Sequence, residues 1–311
     1  MEDNFKDLIE RHKEQGNVEM QDDFTPLEIY QEDEYSRIES VALHIPRKYE
    51  VLVKDAASVM FKQIPNYARL LEEVDQYRTL LKSLGIKVYD DVDFRDTDLN
   101  PFPNQIFMRD LAVITPEHLI VANPKYNIRK GEQYNMLTTL RRHGYIGKVV
   151  ELPEDVTMEG ADFFWISKNE VIISVGNRTS SSFADTFKSL YPSINVRTVE
   201  AAKEGIPQHI LGGAHIIDRD TIIQRKSIIK HNLGFNNVIE LEENEETKNN
   251  YSMNIVTVSP MEIIMPAGNP NTKAIYESHG IKVHESPAKE IGKLSGAFAC
   301  CTLVLNRTKN K

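Results

Sequence analysis

Residues 111–122 read LAVITPEHLIVA, and residues 162–175 read DFFWISKNEVIISV. Each stretch sets two short apolar runs around a polar reversal. Pro, Asn and Asp favour reversals, and runs rich in Val, Ile and Phe suit buried strands, so each stretch predicts a β-hairpin. The pattern recurs in AHIIDRDTIIQR (214–225) and MNIVTVSPMEIIMP (253–266). A fifth hairpin can be assembled from the two ends of the chain, SVALHIP (40–46) beside ACCTLVLNR (299–307).

Between the hairpins lies a second repeating unit, a helix followed by a short β-branched strand. It spans 74–90, 136–152, 183–200, 226–241 and 272–286, and four of the five place Gly or Pro after the helix. Those residues stop helices. Alternation of the two units predicts an α/β fold, a five-bladed α/β propeller of ββαβ repeats with pseudo-fivefold symmetry. A doubly wound nucleotide-binding sheet would need a Gly-rich first turn, and neither GxGxxG nor GxxxxGK[ST] occurs. Closing the ring with both termini would also remove exposed sheet edges.

Bulk properties narrow the function classes. The chain is 41% hydrophobic and 27% charged, the balance of a soluble globular protein. No apolar run reaches the length of a membrane helix. The opening segment, MEDNFKDLIERHKEQ, is too charged for a signal peptide. Residues 1–35 hold twelve acids against three bases, which accounts for the whole net charge of −9. The remainder is therefore neutral and offers no basic field for nucleic acid. The expected organisation is an acidic N-terminal arm over 1–35, with Phe5, Leu8 and Ile9 on one helix face, and one catalytic propeller over 36–311. The only cysteines, Cys300 and Cys301, are adjacent and cannot staple distant segments, which fits a reducing, cytoplasmic setting.

Polar residues gather where hairpins begin. Arg109-Asp110 precedes the first, Glu159 and Asp162 the second, and His209 the third; Cys300 stands at the equivalent end of the last. Each has an ordinary reading: Asp110 pairing with Arg109, Glu159 and Asp162 capping turns, His209 hydrogen-bonded in a core. In a radial fold, however, equivalent ends converge. On a strand, Cys300 and Cys301 would face opposite ways, one to a pocket and one to the core. A thiol needs a nearby cation or base to act as thiolate, whereas surrounding acids raise its pKa unless a cationic ligand joins them. Carboxylates, a thiol and an imidazole together suit a planar cation with an electrophilic carbon, a guanidinium. A zinc site fits less well, because Cys300 and Cys301 are too close together to share one metal and His209 and His215 lack a nearby third ligand.

On these motifs the chain resembles the guanidine-modifying enzymes of the pentein superfamily: dimethylarginine dimethylaminohydrolases, arginine deiminases and amidinotransferases. The resemblance runs over about residues 38–307. In PNQIFMRD (103–110) it implies that Asn104 binds the amino-acid end of a substrate and Asp110 its guanidinium. MEGADFF (158–164) is similar to an EGGD motif with Ala161 for the second Gly, and implies that Glu159 contacts the guanidinium and orients the histidine, with Asp162 in support. VGNRTSSS (175–182) implies a carboxylate-binding Arg178, and Arg129 stands at the family's spacing for a second. HILGGAHIID (209–218) implies His209 as general acid/base. GAFACCTLVLN (296–306) resembles the C-terminal run of the dimethylarginine enzymes, which implies Cys300 as nucleophile and Cys301 as a core residue.

Departures separate the subfamilies. Leu211 replaces an Asp of the deiminases, and Asp110-Leu111-Ala112-Val113 matches the dimethylarginine enzymes, whereas Arg109 is the deiminase letter. The resemblance implies a hydrolase of arginine-type guanidines, giving citrulline and an amine through a covalent Cys thiouronium. A deiminase, an amidinotransferase and a non-catalytic propeller scaffold are the alternatives. No cofactor, metal, nucleic acid or membrane is implied; the partner is a small guanidino substrate, and a homo-oligomer is allowed.

Overall fold

The computed structural model describes residues 26–91, 102–200, 209–229 and 233–309. Five three-stranded sheets form a ring, as the hairpin repeat predicts. The first blade takes β1 (Ile38–Ala42), α1 (Tyr67–Ser83) and β2 (Lys87–Tyr89). The second holds β3 (Ala112–Ile114), β4 (His118–Val121), α2 (Glu132–Arg142) and β5 (Lys148–Val150). The third holds β6 (Phe163–Ser167), β7 (Glu170–Val175), α3 (Ser181–Leu190) and β8 (Asn195–Glu200). The fourth holds β9 (Ala214–Asp218), β10 (Thr221–Arg225) and β11 (Asn237–Leu241). The fifth holds β12 (Val256–Ser259), β13 (Glu262–Pro266), α4 (Pro270–Ser278) and β14 (Lys282–Ser286). The last strand, β15 (Leu303–Arg307), returns to the first blade and pairs antiparallel with β1.

In every blade the middle strand is antiparallel to one neighbour and parallel to the other. The antiparallel neighbours β15, β3, β6, β9 and β12 are the inner strands, and their side chains join adjacent blades. Trp165 on β6 donates its indole N–H to Ile114 O on β3 at 2.9 Å. Thr257 on β12 donates its hydroxyl to Ile216 O on β9 at 3.0 Å. The apolar core is divided into five clusters, each between two neighbouring blades. Val113 and Ile120 meet Phe163 and Trp165 in one; Ile217 and Ile223 meet Ile263 and Met265 in another. Inner strands are thus covered on both faces, which is why they read as continuous apolar runs.

Two expectations change, and one lies largely outside the described residues. Cys300 and Cys301 are not on a strand: they lie in a single helical turn, Phe298–Cys301, before β15. Their side chains therefore diverge by a helical rotation and not by strand alternation. Among the described residues of 226–241 there is a turn and β11 but no helix. The arm's Phe5, Leu8 and Ile9 lie outside the described residues, whereas residues 26–35 pack against the body. Leu27, Gln31 and Asp33 are buried, and Tyr30 forms a bridge to Asn306 beside β15. No described helix is long and apolar enough to cross a membrane.

A helical turn also precedes β3, β6 and β9, and these turns pack on one another around the axis. Gly160 is the tightest point: a Cβ there would lie 2.3 Å from Ala112 O and 2.4 Å from Arg109 O. Backbone cannot retreat as a flexible side chain can. Gly160→Ala is expected to cost at least about 2 kcal/mol of stability through overpacking. Urea denaturation checks this, and an unchanged midpoint would contradict the packing.

Candidate active site

The lead-ins to four of the five inner strands line one cavity of about 620 Å³, and Glu159 of the fifth reaches His209 and Arg178 from behind it. Asp110 lies in the turn Met108–Leu111 before β3. Glu159 immediately precedes the turn Gly160–Asp162 before β6, and His209 immediately precedes Ile210–Gly212 before β9. Cys300 lies in its own turn before β15, and Asn254 stands two residues before β12. Asp110, His209, Asn254 and Cys300 line the cavity, together with Asn104, Arg129 and Arg178.

Charges here are paired tightly. His209 Nε2 is 2.8 Å from Glu159 Oε2, and its Nδ1 is 3.9 Å from Asp110 Oδ1. Arg129 donates from Nε and Nη2 to Glu132 Oε2 at 2.9 and 2.8 Å, and from Nη1 to Asp110 Oδ2 at 2.5 Å and Glu159 Oε2 at 3.4 Å. Arg178 Nη1 donates to both oxygens of Glu159 at 3.1 Å, and its guanidinium stacks over the Tyr126 ring, 4.4 Å from the centroid. Asp110 Oδ1 is buried with no hydrogen-bond partner among the described residues, so a cavity-lining carboxylate keeps one unfilled acceptor.

This field sets the ionisation of the groups around the cavity. Burial alone would lower the His209 imidazole, but Asp110, Asp162 and Glu159 hold it up at about 9. His209 is therefore an imidazolium at neutral pH. Burial works against the Glu159 carboxylate, yet His209, Arg129 and Arg178 keep it well below the ordinary range. Burial, then Asp110, pushes the Cys300 thiol up to about 11, while Asn254 and Arg129 oppose them. Burial likewise raises Asp162, to about 6.

The remaining site residues have definite partners. Asp162 is buried behind the cavity, where Oδ1 accepts from the Ile210 N–H at 3.2 Å and Oδ2 from the Thr179 hydroxyl at 2.8 Å. It fastens the turn that carries His209. Asn104 donates to Val59 O at 3.1 Å while lining the cavity. All three side-chain nitrogens of Arg129 already face carboxylates, so this guanidinium braces Asp110 and Glu159 and is not free for a substrate carboxylate. Arg109 does not pair with Asp110. It bonds Glu34 Oε1 at 3.1 Å and Phe163 O at 2.9 Å, beside a separate cavity of about 40 Å³ that Glu34, His215 and Arg307 also line. Cys301 is buried in the core cluster between the first and fifth blades.

Asp110, Glu159 and His209 each offer a ligand atom within 4.8 Å of the others, a donor set that a metal ion could use. Arg129 and Arg178 already pair with those carboxylates, so a dication would meet two fixed guanidinium charges and would have to displace the proton of His209.

A family model described as arginine deiminase matches residues 91–209 and 217–307. The chain belongs to that family, within the guanidino-modifying pentein enzymes. It is 25% identical over 242 residues to the N(G),N(G)-dimethylarginine dimethylaminohydrolase of Pseudomonas aeruginosa, which covers 77% of this chain and 89% of that protein. A crystal structure of a mutant of that Pseudomonas enzyme complexed with citrulline superposes with a TM-score of 0.69 at 22% identity, covering 86% of this chain and 99% of the other. An amidinotransferase from Microseira wollei superposes with a TM-score of 0.71 at 14% identity, covering 91% and 98%. Both share the five-bladed α/β propeller.

Sequence reasoning passed over Asn254. It occupies the hairpin-start position that singled out Asp110, Glu159 and His209, so the same positional rule applied to MNIVTVSP finds it.

The ionisation of His209 is directly testable. Removing the Glu159 charge removes an interaction that favours the protonated ring. Glu159→Gln should lower the His209 midpoint from about 9 by at least about one unit. An NMR titration of the imidazole Cε1–H reads it, and an unmoved midpoint would refute the electrostatic account.

Proposed function

We propose that this protein hydrolyses an arginine-type guanidine in the manner of a dimethylargininase, releasing an amine and leaving a ureido product such as citrulline. The observation that carries this reading is the meeting of Cys300, His209 and the open Asp110 oxygen in one cavity. The Asp110 carboxylate there suits the N–H donors of a guanidinium, Glu159 holds the imidazole from behind, and the thiol lines the same cavity.

The chemistry follows from the charges. In the free protein His209 is protonated and Cys300 is a thiol. A guanidinium against Asp110 offsets the negative charge that raises the thiol, so binding itself promotes ionisation, with the thiol proton released to solvent. The thiolate forms a bond to the central carbon, and the C=N electron pair moves to nitrogen. Collapse of the tetrahedral adduct breaks the C–N bond, and the His209 imidazolium gives its proton to the departing amine. Water, deprotonated by the now neutral His209, adds to the thiouronium carbon. The C–S bond breaks, which regenerates the thiolate, and the hydroxyl proton passes to solvent as the C=O of the ureido product forms. Leu211 lines the cavity two residues after His209, where an apolar side chain favours a substituted nitrogen over a bare one.

Turnover of arginine, methylated arginines and agmatine, with mass spectrometry of the products, tests the reading; no ureido product from any of them would refute it. Cys300→Ser should lower kcat by at least about 1,000-fold, whereas Cys301→Ser should stay within about tenfold. Equal losses in two folded variants would overturn the assignment of the nucleophile. The active form needs thiolate with imidazolium, while the thiol titrates near 11 and the imidazole near 9. Below 9 the rate is limited by thiolate, so kcat/KM should rise about tenfold per pH unit from 7 to 9, level off, and fall above 11. A maximum below pH 7 would contradict this.

A further inference from the structure

Four of the five lead-ins have roles in the reaction just described; the fifth has none. We propose that Asn254, on the lead-in to β12, is a catalytic residue whose carboxamide N–H holds the Cys300 sulfur and stabilises its negative charge. The proposal rests on Cys300 being the nucleophile.

The contacts are direct. Asn254 Nδ2 lies 3.0 Å from Cys300 Sγ, and Asn254 Oδ1 accepts the Cys300 backbone N–H at 3.2 Å. Together they fix the orientation of the carboxamide. A backbone N–H can only donate, so the oxygen must face it, and the N–H₂ is then left for the sulfur. A thiolate accepts such a bond far better than a thiol, so the contact strengthens as charge develops. It opposes the combined effect of burial and Asp110 on the thiol.

The main chain is shaped to present this side chain. Tyr251 adopts φ 57°, a left-handed conformation that is costly for a residue with a Cβ, and accepts the Asn254 N–H at 2.8 Å. The turn from Tyr251 to Asn254 thereby aims the carboxamide at the cavity. Asn254 itself is 7% exposed, so water competes poorly for its donors. One side chain thus clamps both the sulfur and the backbone of the residue that carries it.

The test reads the sulfur without a substrate. Wild type, Asn254→Ala and Asn254→Asp are alkylated with iodoacetamide at pH 8, with Cys300→Ser as the blank and tandem mass spectrometry locating the adduct on Cys300. Asp keeps the shape and the acceptor but turns a donor into a negative charge. Alkylation should slow by at least about threefold in Asn254→Ala and at least about tenfold in Asn254→Asp, with kcat falling in parallel and KM held within about threefold. An unchanged or faster rate in the folded Asp variant overturns the proposal, and that variant decides alone if Asn254→Ala does not fold. If alkylation responds as expected while no guanidine is turned over, Asn254 stands and the substrate assignment falls.

Discussion

Pairing of β1 with β15 is the contact on which the rest of the molecule depends. It joins residues near position 40 to residues near position 305 and completes the first blade from both ends of the chain. Without it, β1 would present an open edge, β15 would be left outside its sheet, and the core between the first and second blades would lose Leu303 and Leu305. The same closure brings Cys300 to the axis, because its turn leads directly into β15. Fold closure and placement of the Cys300 thiol in the cavity are therefore one event. The segment 26–35 reinforces it: Tyr30 N–H donates to Leu305 O, and Arg307 N–H donates to Tyr30 O.

Around the axis, the dominant constraint is the burial of charge. Asp110, Glu132 and Glu159 are each 3% exposed or less, a costly arrangement unless cations accompany them. Arg129 and Arg178 supply that compensation, and His209 completes it. The result is a rigid lattice in which the acids cannot swing away from a ligand and the imidazole is kept protonated. One oxygen of Asp110 remains uncommitted, and that gap in an otherwise satisfied network is where a cationic ligand gains most. A second buried set, Arg109 with Glu34 and Arg307, is separate from it. There His215, lowered to about 3 by burial and Arg109, stays neutral.

Much of this was readable along the chain. Apolar hairpins with polar reversals revealed all five blades, because strand formation by Val, Ile and Phe runs is a local matter once both faces are buried. The hairpin-start rule located Asp110, Glu159 and His209, since equivalent positions in a ring must converge. The same rule held for Asn254, which went unread because an Asn carries no charge to draw notice. Other features resisted a linear reading. Arg109 and Asp110 are neighbours in sequence, yet a helical turn sends them to different cavities with different partners. Arg129 at its expected spacing proved to be enclosed by Glu132, a residue only three positions away.

The cysteines show the division most clearly. Their adjacency and apolar flanks were enough to say that one sulfur could face a site while the other entered the core. Apolar flanks suit a strand and a buried helical turn equally well, so the local choice fell to packing against neighbouring lead-ins. Hairpin positions, blade order and the polar residues that open each hairpin follow from local propensity and pattern. The protonation of His209, the open oxygen of Asp110 and the clamp of Asn254 on Cys300 do not. They arise between residues from different blades, at distances that only ring closure establishes, in an interior where burial makes each charge answer to its nearest partners.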